Sequence, residues 1–361
     1  MAARCQPRGV QIIRSGDQGE AVRDIQHRLT ELGHRVDPVE LEGVFGPSTE
    51  GAVRAFQLAR RLPADGIVGA DTWSQLVEAG YRLGDRTLYL RSPAFRGDDV
   101  RALQRMLNAL GFDAGKEDGI LGHRTADAVM ELQRNLGDKV DGIVGLDTVR
   151  ALERIRPAVG GPGLAVVREE EAVRSMETSL DGAIVAVDAA GGRAEIEQVT
   201  LDEASQADLA LTLAADLADT LEARGATPVL LRRSQEDPTA TERASTANAV
   251  EAILCVSLHP TGEVRGAACA YWGTATTHSP AGRRLAELIQ AELTSIGLLD
   301  GGIRPLGIAL LRETRMPAVR VEVGASATLA DGRGMGEDTF RRTLAVAVAD
   351  AIGRFLSGSP G

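Results

Sequence analysis

A chain of 361 residues has room for two or three domains, and 43% hydrophobic residues supply ordinary globular cores rather than a disordered or fibrous chain. The net charge of −11 excludes the basic footprint that nucleic-acid binding requires. Cys5, Cys255 and Cys269 do not make a disulfide framework, and no apolar run is long enough to span a bilayer.

The opening Met1-Ala2-Ala3-Arg4-Cys5-Gln6-Pro7 lacks the apolar core of a secretory signal, so the expected location is cytoplasmic. Charge is unevenly spread. Residues 1–156 hold 22 basic and 23 acidic side chains, and the remainder holds 18 and 28. The acidic excess belongs to the C-terminal part.

An internal repeat dominates the first 155 residues. Asp65-Gly66-Ile67-Val68-Gly69-Ala70-Asp71-Thr72 recurs 76 positions later as Asp141-Gly142-Ile143-Val144-Gly145-Leu146-Asp147-Thr148. Gly43, Gly46, Thr49, Val53 and Gln57 recur at the same offset as Gly119, Gly122, Thr125, Val129 and Gln133. Val22, Gln26, Leu32 and Gly33 recur 78 later as Val100, Gln104, Leu110 and Gly111, so a loop absorbs two residues.

Each unit reads as three helices. Val22, Ile25, Leu29 and Leu32 fall at helical spacing before Gly33, a natural stop. Ser48 or Thr49 is expected to cap a second helix through Val53 and Phe56, and Asp71 or Thr72 a third through Trp73 and Leu76. The bland account of the glycines and apolar stripes is that they only specify the fold, and no ligand contact is assigned to them.

A Gly/Pro-rich linker, Pro157-Ala158-Val159-Gly160-Gly161-Pro162-Gly163, precedes an acidic segment expected to be helical from Val166 to Met176. Strands are then expected at 183–187, 227–232, 252–258, 267–272, 307–311 and 318–323. Helices are expected at 203–224, 240–250, 280–296 and 335–356. This alternation predicts an α/β sheet covered by helices. Phe340, Leu344, Val348, Ile352 and Phe355 mark the core face of the last helix. The expected organisation is multidomain: repeats at 10–80 and 88–155, linker and helix at 156–180, and an α/β domain at 181–357.

Both repeats resemble the peptidoglycan_binding_1 module, a three-helix unit whose relatives bind cell-wall glycopeptide. In the α/β domain, Ile184-Val185-Ala186-Val187 runs into Asp188-Ala189-Ala190-Gly191-Gly192, a later strand delivers Val256-Ser257-Leu258-His259, and another ends Val319-Arg320-Val321-Glu322-Val323-Gly324. These segments, in this order, resemble the zinc-dependent N-acetylmuramoyl-L-alanine amidases of the amidase_3 family. The resemblance implies zinc held by His, Glu and His, with a separate catalytic Glu. It places the second His on His259 and the catalytic Glu on Glu322. It places the ligand Glu on Gln206, a neutral near-isostere and a poor zinc ligand. The first His, in the family's Asp-Pro-Gly-His-Gly-Gly, has no counterpart in Asp188-Ala189-Ala190-Gly191-Gly192.

Hydrolytic zinc needs about three protein ligands and a water. His259 is left as a remnant ligand and Glu322 as a remnant catalytic carboxylate, so no cofactor is expected. Cys255 shares a strand face with His259 but lies about 13 Å away, four residues along the strand. Cys269 on a neighbouring strand would be nearer, and Asp188 and Glu195 flank the missing His with oxygens to offer. His278, in Thr277-His278-Ser279-Pro280, reads as an exposed loop residue. No lysine-bearing phosphate loop, dinucleotide fingerprint or serine nucleophile elbow is present.

The whole architecture resembles the actinobacterial CwlM group. That resemblance implies a cytoplasmic regulator of peptidoglycan precursor synthesis, partnered by UDP-N-acetylglucosamine enolpyruvyl transferase under kinase control, and able to meet peptidoglycan or muropeptide fragments. The short tail Ser357-Gly358-Ser359-Pro360-Gly361 departs from the phosphorylated tail this implies. An amidase-like pseudoenzyme is the leading reading. A working zinc amidase and a plain peptidoglycan-binding module stand as alternatives.

Overall fold

Four buried glutamines organise the N-terminal half of the computed structural model. Residues 12–155, 171, 179–191, 201–233, 238–262, 264–324, 326–329 and 332–358 are described. They fall in two compact units, Ile13–Glu171 and Ala172–Gly361, each taken by itself below.

The first unit holds α1 (Glu20–Glu31), α2 (Pro47–Ala59), α3 (Ala70–Ala79), α4 (Asp98–Ala109), α5 (His123–Leu136) and α6 (Leu146–Arg154). Three helices serve each repeat, as their apolar spacing predicts. Ile25, Leu29, Val53, Phe56 and Leu76 close the first core, and Leu103, Leu107, Val129, Leu132 and Leu152 the second.

The glutamines hold the loops between helices. Gln57 on α2 donates through Nε2 to Asp65 Oδ1 (2.7 Å), Ile67 O (2.8 Å) and Thr72 Oγ1 (3.1 Å), and accepts from Gly66 N (2.9 Å). Gln133 on α5 does the same with Asp141 Oδ1 (3.0 Å), Ile143 O (3.1 Å) and Gly142 N (2.9 Å). Gln26 and Gln104 clasp the preceding loops through Val44 O, Thr49 Oγ1, Ile120 O and Thr125 Oγ1. Buried backbone polar groups must be paired, so the recurrence of glutamine follows from loop anchoring.

Gly43 and Gly119 recur for a different reason. Both have positive φ, and a Cβ would stand 2.8 Å from Gly19 O and 3.0 Å from Gly97 O.

The expected caps differ. Gly46 and Gly69 precede α2 and α3, and neither helix has a side-chain cap from its own first residues. Glu40 caps α2 from the preceding loop, accepting from Ser48 N (2.9 Å), Thr49 N (2.7 Å) and Thr49 Oγ1 (2.7 Å). Burial works against its charge, but these bonds outweigh it and hold the carboxyl below its usual range. A longer acidic side chain reaching back across the turn thus does the work expected of Ser48 or Thr49.

The second unit runs β1 (Ile184–Ala189), α7 (Leu201–Glu222), β2 (Thr227–Leu230), α8 (Ala240–Ala249), β3 (Leu254–Thr261), β4 (Ala267–Trp272), α9 (Pro280–Ser295), β5 (Asp300–Leu306), α10 (Ala309–Glu313), β6 (Ala318–Gly324) and α11 (Asp338–Leu356). The sheet order is β2-β1-β3-β6-β4-β5. Every pairing is parallel except β4 with β6.

Alternation sorts the sheet into two faces. Val185, Val187, Val256, Leu258, Val319, Val321 and Val323 point into the core shared with α7, α9 and α11. Phe340, Leu344, Val348, Ile352 and Phe355 fill that core as their spacing predicts. The other face carries Asp188, Ser257, His259, Arg320 and Glu322.

The strand expected at 307–311 is not a strand. Residues 300–306 form β5, and Ala309, Leu310 and Leu311 sit buried in the short helix α10. A brief apolar run does not distinguish a strand from a helix buried on all sides. β5 was hidden because Gly301, Gly302 and Pro305 are poor strand formers, tolerated here on the sheet edge. The acidic helix expected at 166–176 lies outside the described residues, apart from Glu171. Among the described residues no helix is long and apolar enough to cross a membrane.

Candidate functional site

The ends of β1, β3 and β6 bring the polar face to a focus. His259 on β3 pairs in register with Glu322 on β6, and Ser257 pairs with both Asp188 on β1 and Arg320 on β6. In-register partners share a face, so these side chains form two adjacent rows.

Asp188 is not free to hold an ion. It is fully buried, with Arg243 Nε 2.8 Å from Oδ1, and it accepts from Ser257 Oγ at 2.6 Å on Oδ2. The charge is matched by a guanidinium from α8 that is itself buried. The expectation that Asp188 could offer metal-binding oxygens fails for that reason. Glu195 lies outside the described residues.

The end of β1 is occupied by another guanidinium. Arg232 donates from Nε to Ala189 O (2.8 Å) and from Nη2 to Ala190 O and Ala207 O (both 3.1 Å). One buried side chain thereby ties the stretch lacking histidine to the turn of α7 that carries Gln206. Ala190 N also donates to Leu258 O at 3.0 Å, next to His259. The structure therefore brings the Ala189–Ala190 stretch beside His259. Gln206 is half-buried.

Glu322 is buried and held by arginine. Arg304 Nη2 lies 2.8 Å from Oε1 and 2.6 Å from Oε2, and Arg320 Nε is 3.5 Å from Oε1. Burial first, then the charges of Arg320 and Arg304, push the His259 imidazole well below its usual pKa. The ring is thus neutral at pH 7.

The cysteines contribute nothing here. Cys255 is completely buried further down β3, and burial raises its pKa, which keeps it a thiol. Cys269, which the sequence allowed to lie nearer His259 than Cys255 does, points away from it. Its strand neighbours β5 and β6 rather than β3, and its side chain belongs to the apolar core on the opposite face. His278 is half-buried rather than exposed, with its ring edge-on to Tyr271 at 6.0 Å.

These residues do not fit a zinc ion. Among the described residues at these positions, His259 offers a neutral imidazole and Gln206 a neutral amide, while Asp188 is committed to Arg243 and Glu322 to Arg304. Among the described residues no three His, Cys, Asp or Glu side chains are grouped to hold a metal. Tetrahedral zinc needs about three such ligands.

Arg304, Arg243 and Arg232 were missed from sequence. Arg304 sits on the unrecognised β5, and Arg232 sits just past β2. Arg320 was missed as well, although period-two alternation from Glu322 puts it on the same face.

Two family models match the chain: Amidase_3, N-acetylmuramoyl-L-alanine amidase, over residues 185–354, and PG_binding_1, a peptidoglycan binding domain, over 18–76 and 96–152. N-acetylmuramoyl-L-alanine amidase CwlM of Mycobacterium tuberculosis is 39% identical over 94% of this chain and 87% of its own. N-acetylmuramoyl-L-alanine amidase CwlL of Bacillus licheniformis is 32% identical over 40% of this chain and 46% of its own. Among solved structures, the catalytic domain of CwlV from Paenibacillus polymyxa is 24% identical, with a TM-score of 0.41 over 49% of this chain and 99% of that domain.

Proposed function

The chain belongs to the N-acetylmuramoyl-L-alanine amidase family, and we propose that within it this protein is a non-hydrolysing member that regulates peptidoglycan precursor synthesis through protein contacts. The observation that carries the reading is the bond from Arg304 to Glu322, beside a lone imidazole at His259. A catalytic carboxylate clamped by a guanidinium is a weak base. Without a ligand set for a metal, nothing polarises the scissile carbonyl or lowers the pKa of a water.

In this reading the repeats take peptidoglycan or muropeptide fragments, as the matching PG_binding_1 model suggests. The regulatory contact is assigned to the α/β unit, where the acidic excess lies. Its partner is UDP-N-acetylglucosamine enolpyruvyl transferase, and a cytoplasmic location goes with that partner's soluble nucleotide-sugar chemistry. An interface steered by charge weakens with salt.

Two measurements on the full chain test the reading. Elemental analysis after dialysis is expected to find no stoichiometric zinc. Mass spectrometry of muropeptides incubated with the protein and added zinc is expected to find no released peptide stem. Release that disappears in Glu322→Gln establishes the amidase reading instead. The purified transferase is expected to bind the full chain at low ionic strength and dissociate at high. Salt-insensitive binding removes the acidic face from the account.

A further inference from the structure

Two guanidinium groups share one carboxylate on the polar face of the sheet. Arg304 and Arg320 both approach Glu322, so the three side chains together carry one net positive charge. The pairing leaves donors over. Among the described residues, the protein contacts of Arg304 run through Nη2 alone, which leaves Nε and Nη1 available on a side chain 46% exposed. Arg320 is 14% exposed, and its buried Nε makes no hydrogen bond. Its Nε faces Glu322 Oε1 at 3.5 Å, a long and weak contact, and a buried cationic donor so poorly satisfied is costly.

The cluster lies toward the carboxyl ends of β3 and β6, where open α/β sheets receive ligands. A guanidinium fork matches the two oxygens of a carboxylate or phosphate. Arg232, Arg243 and Asp188 are committed elsewhere, so the unspent charge is local to Arg304 and Arg320.

We propose that Arg304 and Arg320, beside His259, bind a small oxyanion, carboxylate or phosphate. The site rests on the metal-free reading above, because a zinc ion on His259 would itself take the anion.

The test uses the full chain, treated with chelator and with its zinc content measured. With nitrogen-15 in the arginines, the Nε–H resonances are followed at low ionic strength during titration with inorganic phosphate and, separately, with D-lactate. Saturable shifts at Arg304 and Arg320 are expected with at least one anion, and the more effective one identifies the chemistry. Arg304→Ala is expected to weaken binding about tenfold or more, with Arg304→Lys between it and the native chain. Arg283→Ala, which removes a guanidinium paired with Glu287 on α9, is expected to change nothing. Arg304 is half exposed, so its variants remain informative even where Arg320→Ala fails to fold. Absence of saturable shifts with both anions in zinc-free protein, or unweakened binding in Arg304→Ala, overturns the site and leaves the metal-free reading standing. Stoichiometric zinc before chelation overturns that reading by itself.

Discussion

Arg304 meets Glu322 through a single nitrogen that lies within 2.8 Å of one carboxylate oxygen and 2.6 Å of the other. Glu322 is at the same time the register partner of His259. The family resemblance assigns these two positions to a hydrolytic metal centre. In this chain the carboxylate is neutralised by a neighbour from the edge strand β5.

This relationship sets what a repair experiment must do. Insertion of Pro-Gly-His in place of Ala189-Ala190, together with Gln206→Glu, supplies the missing ligand types. Arg304 and Arg320 nonetheless leave positive charge beside any ion bound to His259. Adding Arg304→Met to the repair is expected to raise zinc affinity about tenfold or more, read by competition with a chromophoric chelator. Equal affinity with and without Arg304→Met would show that the guanidinium does not govern the site.

The buried pair of Asp188 and Arg243 makes a prediction about stability. Both side chains are out of contact with water. Arg243→Met strands a buried carboxylate and is expected to cost about 3–5 kcal/mol. The double variant with Asp188→Asn is expected to regain a substantial part of that loss. Trp272 lies on β4 and Trp73 in the first repeat, so each unit has its own fluorescent reporter, and the Trp272 transition in urea reads the effect. A single variant as stable as the native chain would mean that water reaches Asp188.

Much of this molecule was legible from sequence, for identifiable reasons. The repeats announced themselves because anchoring a loop takes a particular residue: Gln57 and Gln133 recur, as do Gly43 and Gly119, at one offset. Their backbone purpose was not visible, since a recurring glutamine looks the same whether it holds a carbonyl or a ligand. His259 and Glu322 were found because the apolar strands that carry them resemble the family's segments. Their register is a matter of strand order, which brings together segments far apart in the chain. Arg304 was unreadable because its strand contains Gly301, Gly302 and Pro305. The capping role of Glu40 was missed because it reaches across eight residues.

The glutamine clasp can be tested in one repeat. Gln57→Ala leaves Ile67 O and Gly66 N without their partner and is expected to cost about 2–4 kcal/mol. The loss should appear in the unfolding followed by Trp73, while the transition followed by Trp272 stays in place. Unchanged stability of the first repeat would show that water replaces the amide.

The last prediction concerns the joint between the repeats. Arg60 of the first donates to Asp98 of the second through two bonds of 2.8 and 2.7 Å, and Arg101 adds a third contact at 2.5 Å. Burial works to raise the Asp98 pKa, but the bond from Arg60 and the charges of Arg60, Arg101 and Arg105 prevail and lower it from 3.8. A carboxyl depressed in the folded state contributes stability that is fully present above its unfolded pKa. That contribution is lost as pH falls from the unfolded value through the folded one. The N-terminal unit is therefore expected to lose stability progressively below about pH 5, in step with protonation of Asp98 and of the similarly depressed Glu40. Asp98→Asn should lower stability at pH 7 and flatten part of the acid dependence, read as thermal midpoints between pH 3 and about 7. An acid profile as steep in Asp98→Asn as in the native chain would remove this ion pair from the pH response and leave Glu40 to account for it.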